Sequence, residues 1–193
     1  MPKYVIFAGV NGAGKTTLYQ SNPKILSMKR VNVDEIVRRI GRWDNSRDVS
    51  IAGREAVNKI KEYFENRVSF NQETTLCGNS IIKNIEKAKR LGYCIELYYV
   101  GLDSAELAVE RVKIRVNNGG HGIPEQDIRK RYENSFLQLE KIIRYCDRIE
   151  LFDNSKSFRT IAIYKDKRWI VIDDDVPDWC KKIIFGKGDR KKC

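Results

Sequence analysis

Eight residues near the start of the chain, Gly9-Val10-Asn11-Gly12-Ala13-Gly14-Lys15-Thr16, restrict its fold more than any other stretch. They match the pattern G-x-x-x-x-G-K-[ST]. Glycines let a backbone curl tightly enough for its N–H groups to converge on phosphate oxygens. A helix opening at the end of such a loop adds its positive N-terminal end. Lys15 can then reach the β- and γ-phosphates of a nucleotide, and the Thr16 hydroxyl is the expected Mg²⁺ ligand. The expected nucleotide-binding stretch runs from Gly9 to Thr17. This mechanism requires a strand before the loop and a helix after it. Residues 3–9, KYVIFAG, are a short apolar run that suits a strand buried on both faces of a parallel sheet. Residues 15–20 read as a helix start.

Beyond the loop, strand-like and helical patterns alternate. Strands are expected at 29–33, 69–75, 93–102 and 148–152. Helices are expected at 34–41, 48–67, 80–91, 104–117 and 125–146. Asp103 and Glu106 have the spacing of a capping box at the start of the helix at 104. Residues 159–173 alternate around a polar KDK turn and predict a hairpin. The pattern predicts an α/β fold, a three-layer P-loop kinase-like sandwich with a mostly parallel sheet. A helical lid at about 111–131 and a C-terminal β-hairpin complete it. At 193 residues the chain fits one domain, 1–180, followed by a basic tail, 181–193.

Composition narrows the function. No apolar run approaches the roughly 18 residues of a membrane span. The five cysteines are scattered without metal or redox spacing, and His121 is the only histidine. A disulfide framework is therefore not expected, and a reducing cytoplasmic setting fits. The formal charge is +11, and the tail concentrates it: Lys181, Lys182, Lys187, Arg190, Lys191 and Lys192 stand against Asp189. Such a charge attracts phosphate-bearing partners of every kind. Trp169, Trp179 and the tail could bind nucleic acid by stacking and charge. Alternation around Trp169 instead suggests core packing, so nucleic acid is not the expected partner.

A kinase also needs a seat for its acceptor and a carboxylate to take the acceptor's proton. In an open parallel sheet both lie beyond the C-terminal strand ends. Asp34 follows the second strand and can face the γ-phosphate, or it can merely cap the next helix. Glu73 and Thr75 share one face at the end of the third strand and can hydrogen-bond a polar acceptor. Arg111 and Arg115 lie four apart on one helix face. A glycine-rich break, NNGGHGIP at 117–124, separates them from Arg129 and Arg131. Permissive backbone at Gly119-Gly120 suits a hinge, and arginines on a mobile lid stabilise a transferring phosphoryl group. His121 in this break reads as a structural or phosphate contact. These residues leave three readings open: a small-molecule kinase, a kinase of nucleic-acid ends, and a non-catalytic nucleotide-dependent regulatory module.

Taken in order, GVNGAGKTT at 9–17, NVDEI at 32–36, ETTLCG at 73–78, YYVGLDS at 98–104 and RVKIRVNNGGHGIPEQDIRKRY at 111–132 resemble the zeta toxin family. The resemblance covers about residues 1–155 and is to the family's short, single-domain members. It implies a P-loop kinase that uses ATP or GTP with Mg²⁺ to phosphorylate a sugar nucleotide, UDP-N-acetylglucosamine. It implies Asp34 as the catalytic base, Lys15 on the phosphates, and Glu73 and Thr75 of an E-x-T-L motif on the acceptor. Arg115, Arg129 and Arg131 are its candidate lid arginines. It also implies a small antitoxin protein as a partner. The chain is shorter than the best-known toxins and lacks much of their acceptor-binding region. Segment 156–193 falls outside the resemblance.

Overall fold

The computed structural model describes residues 1–186. Seven strands form one sheet in the order β2-β3-β1-β4-β5-β6-β7. The first five strands are β1 (Lys3–Gly9), β2 (Lys29–Val31), β3 (Phe70–Thr74), β4 (Cys94–Gly101) and β5 (Arg148–Asp153). They pair in parallel. β6 (Arg159–Lys165) and β7 (Arg168–Val171) add an antiparallel hairpin. Its two-residue turn holds Asp166 at φ 53° and Lys167 at φ 62°, the left-handed pair that matches strand twist.

β1 lies between β3 and β4, where successive crossovers change direction, and such a switch point opens a crevice at the C-terminal strand ends. Its alternation decides the layers. Tyr4, Ile6 and Ala8 join one core with Ile36, Ala56, Ile60, Phe64, Ile85 and Leu139. Val5 and Phe7 join the other with Leu18, Ala108, Val109, Val112 and Phe152. Helices α3 (Val33–Ile40), α4 (Ser46–Glu65), α5 (Asn79–Arg90) and most of α7 (Glu125–Ile142) cover the first face. α1 (Lys15–Gln20), α2 (Pro23–Leu26) and α6 (Ala105–Asn117) cover the second. The three-layer sandwich is the expected one.

Three local expectations change. The cap of α6 is Ser104, whose Oγ accepts the Leu107 N–H at 3.1 Å, so Asp103 and Glu106 form no capping box. The helix expected to reach 146 ends at Ile142 and tightens into a 3₁₀ turn, Ile143–Tyr145. α2 and α8 (Asp178–Phe185) were not foreseen. α8 incorporates the first residues of the basic tail and buries Trp179, Cys180 and Ile183. Residues 187–193 of that tail lie outside the described residues. Among the described residues, no helix is long and apolar enough to cross a membrane.

Candidate active site

The phosphate loop joins β1 to α1. Gly9 has φ 137°, and a Cβ there would sit 2.1 Å from the Val100 carbonyl oxygen of β4. Only glycine lets the two strands meet at that point. Gly14 precedes α1, which opens without a side-chain cap, so its first N–H groups are free for an anion. Behind the loop, Asn154 donates Nδ2–H to the Ala13 carbonyl at 2.9 Å and ties the loop to the end of β5. Lys15 is buried and turns Nζ onto the Val10 carbonyl of its own loop at 2.9 Å. Burial holds the Lys15 ammonium below its ordinary pKa, while Glu73 and Asp34 pull it back up.

A cavity of about 760 Å³ opens from this loop. Loop residues, Asp34, Glu73, Thr75, Arg111, Arg115, His121 and Arg131 all line it. The structure therefore brings together residues from the loop, α3, β3, α6, the glycine break and α7.

Asp34 is the second residue of α3. The cap of that helix is Asn32, whose Oδ1 accepts the Asp34 N–H at 2.8 Å. The Asp34 carboxylate is therefore free of capping and 38% exposed, with Oδ2 3.5 Å from His121 Nε2. His121 stacks on Trp43, with ring centroids 4.1 Å apart and planes 13° apart. Arg115 donates Nη2–H to the His121 carbonyl at 2.9 Å and approaches the ring Nε2 to 3.4 Å. One imidazole nitrogen thus stands between a guanidinium donor and a carboxylate acceptor. Burial holds the His121 pKa below its ordinary value; Asp34 opposes this, and Arg115, Arg38 and Arg131 add to it.

Glu73 is the hub of the opposite wall. It accepts from Thr16 Oγ1 at 3.0 and 3.1 Å, Arg30 Nη2 at 2.6 Å and Asn32 Nδ2 at 2.9 Å. Arg30 lies over the Tyr19 ring, 3.6 Å from its centroid, and also meets Asn71 and Glu35. Glu73, expected to grip an acceptor, is instead committed to protein partners in this structure. Thr75 does face the cavity.

Arg111 donates to the Ser155 carbonyl at 3.2 Å. Arg131 lines the cavity, and its carbonyl accepts from Cys77 Sγ at 3.1 Å. Arg129 is not brought to the cavity. It pairs with Glu125 at 2.8 Å and with Glu106 on the outer surface. The cause is helical spacing: Glu125 lies one turn before it on α7.

Arg30, Asn32, Trp43 and Cys77 were not singled out by sequence reasoning. Arg30 and Asn32 flank Val31 with the alternation of a strand end, a weak signal of a shared face. Trp43 carried none, since its loop position becomes informative only when α3 folds under the glycine break.

Among the described residues four buried side-chain atoms lack a partner, and three of them, Asn11 Oδ1, Trp43 Nε1 and Arg115 Nε, belong to residues that line the cavity. With Lys15 turned onto its own loop, the Arg115 and Trp43 N–H donors fit a phosphate-bearing ligand, while Asn11 Oδ1, an acceptor, suits a ligand N–H or O–H. Thr16 and Glu73 supply hard oxygen donors, which suit Mg²⁺ completed by phosphate and water. Among the described residues, no cluster of three or more His, Cys, Asp and Glu side chains could hold a metal alone.

Comparison with known proteins agrees with this architecture. The family model described as Zeta toxin matches residues 1–167. That span carries the likeness past 155 and through β6. A protein of Haemophilus influenzae, described only as uncharacterized, is 35% identical over 131 residues, covering 67% of this chain and 92% of its own length. Among solved structures, the PezAT chromosomal toxin–antitoxin system of Streptococcus pneumoniae superposes with a TM-score of 0.67 at 16% identity. That match covers 97% of this chain and 80% of the other. The AvrRxo1-ORF1:AvrRxo1-ORF2 complex with sulphate ions gives a TM-score of 0.69 at 14% identity, covering 89% of this chain. This chain spans 61% of the AvrRxo1 chain it matches.

Proposed function

We propose that this chain, which belongs to the zeta toxin family, is a nucleotide-dependent kinase that transfers the γ-phosphoryl group of ATP to a hydroxyl of a sugar nucleotide such as UDP-N-acetylglucosamine. The observation that carries this reading is one cavity holding both Lys15 of the phosphate loop and the uncapped Asp34 carboxylate. A solved relative, AvrRxo1-ORF1:-ORF2, has been seen with ATP, which supports ATP as the donor here.

In this reading the backbone of residues 9–14 and Lys15 hold the β- and γ-phosphates. Thr16 would hold Mg²⁺, which when bound neutralises phosphate charge. Asp34 takes the proton of the acceptor hydroxyl as its oxygen bonds to the γ-phosphorus. The bond from that phosphorus to the β–γ bridging oxygen breaks, and ADP leaves. Arg115 and Arg131 offset charge on the transferring group, and Arg111 supports the same wall. Thr75 and His121 meet the acceptor. Glu73 serves by fixing Thr16, Arg30 and Asn32. A small antitoxin protein is the expected partner, in keeping with the complexes in which relatives are found.

The test is phosphoryl transfer read by mass spectrometry. The panel holds UDP-N-acetylglucosamine, other sugar nucleotides, nucleosides and short oligonucleotides. A gain of one phosphate on UDP-N-acetylglucosamine is expected. Lys15→Ala should remove it, and Asp34→Asn should slow it by about 10²–10⁴-fold with nucleotide binding retained. Gain on a different compound replaces the acceptor. Full turnover by Asp34→Asn removes the base from the mechanism.

A further inference from the structure

The sheet has two edges, and they are treated differently. β2 is three residues long, begins Lys29-Arg30, and ends the sheet on one side. A short, charged edge resists pairing with other chains. β7 closes the other side as Arg168-Trp169-Ile170-Val171. Ile170 and Ile172 are each 54% exposed, and Val171 is exposed as well. Among the described residues, no strand pairs with the outer side of β7.

The ladder gives the direction of the free groups. Ile172 donates its N–H inward to the Ile161 carbonyl at 2.8 Å. In an antiparallel pair, inward and outward residues alternate. Trp169 and Val171 therefore turn their N–H and C=O groups to the open edge. The charge along the segment is also polar in direction. Lys165, Lys167 and Arg168, with Asp166 among them, precede the apolar centre with a net charge of +2, and Asp173, Asp174 and Asp175 follow it with −3. Arg159 pairs with Asp173 and Asp175 and offsets only part of that acid.

We propose that β7 pairs antiparallel with β7 of a second copy of this chain, about a two-fold axis at Ile170. Hydrogen-bond parity requires outward residue to meet outward residue, so Trp169 pairs with Val171 of the other copy, and the reverse. Antiparallel pairing brings the basic end of each strand against the acidic end of the other. This self-complementarity is the reason to name a second copy as the occupant. The exposed Ile170 side chains of the two copies meet at the axis and leave water. The cavity lies at β1 and β3, so the pairing leaves it open.

Sedimentation of the full chain over a concentration series tests this. A dimer that dissociates on dilution is expected. Val171→Pro removes an outward N–H while leaving the ladder to β6 intact. Two hydrogen bonds across the axis are lost, which should raise the dissociation constant about thirtyfold. Ile170→Lys changes no backbone group and should also weaken the dimer, with the melting transition of each chain retained. At the axis the paired Cα atoms would stand about 4.5 Å apart, within disulfide reach. Ile170→Cys in a Cys193→Ser background should then cross-link under mild oxidation faster than its parent. A single-chain mass at every concentration overturns the proposal. So does a dimer that neither variant weakens, or an Ile170→Cys chain that cross-links no faster than its parent.

Discussion

Replacing Glu73 separates two roles for this carboxylate. Its side chain is 10% exposed, and that of Arg30 is 9% exposed. Oε2 takes N–H donors from both Arg30 and Asn32, while Oε1 takes only Thr16. Glutamine at 73 can place its oxygen at the crowded position and its NH₂ toward Thr16, whose hydroxyl turns to accept. The shape survives and the charge does not. Hydrogen bonds to a charged group are worth about 1.5–3 kcal/mol and neutral ones about 0.5–1.5. Two weakened bonds therefore cost about 2 kcal/mol. Alanine removes the partner altogether and leaves a buried guanidinium, a loss of about 3–5 kcal/mol. Glu35 and Asn71 remain on Arg30 and keep that loss near the lower bound. In a chain of this size each kcal/mol moves the melting midpoint by about 2–4 °C. Thermal melts should then fall by about 4–8 °C for Glu73→Gln and about 6–12 °C for Glu73→Ala. Calorimetry should show weaker Mg·nucleotide binding in the glutamine variant, because the reversed Thr16 hydroxyl presents its proton instead of a lone pair. If both variants melt with the wild type while the KM for the acceptor rises, Glu73 grips the acceptor and the hub reasoning is refuted.

The only histidine gives one imidazole signal in a proton NMR titration. Its midpoint should lie below 6.5, since burial disfavours the charged ring. The stability from burying the neutral ring against Trp43 is then fully present above that pH and falls as pH drops through the lowered value, while the attraction to Asp34 grows on protonation. Asp34→Asn should lower the midpoint further and Arg115→Met should raise it; a wild-type midpoint at or above 6.5 refutes the assignment. Arg115→Ala should reduce turnover about 10²–10³-fold, whereas Arg129→Ala should leave turnover intact. Equal losses in the two would mean that the surface pairs of Arg129 do not persist during turnover. A Cβ at Gly101 would lie 2.3 Å from the Trp179 ring. Gly101→Ala should therefore cost about 1–3 kcal/mol by overpacking, and an unchanged melt would show that α8 docks elsewhere.

Much of this molecule is written locally. The loop at 9–16, the alternation of Tyr4, Ile6 and Ala8 with Val5 and Phe7, and the sequence of strand and helix periods depend on near neighbours. Those determine the three-layer fold and the strand, loop and helix around residues 9–16 from the amino-acid order alone. Short elements escaped: α2 has four residues, and α8 was masked by the charge of its own surface. Which side chains meet across long separations was decided by tertiary structure. Arg129 and Arg131 look alike in sequence. Their turn on α7 sends one to Glu125 and Glu106 on the surface and the other into the cavity. Glu73 reads as an acceptor ligand until β2 sets Arg30 and Asn32 beside it. In sequence Asp34 also offers a helix cap, and the structure gives that role to Asn32. Periodicity reports which face of an element is buried. The partner that a charge finds there depends on the packing angle and register of elements distant in the chain, and these are set only when the sheet closes around β1.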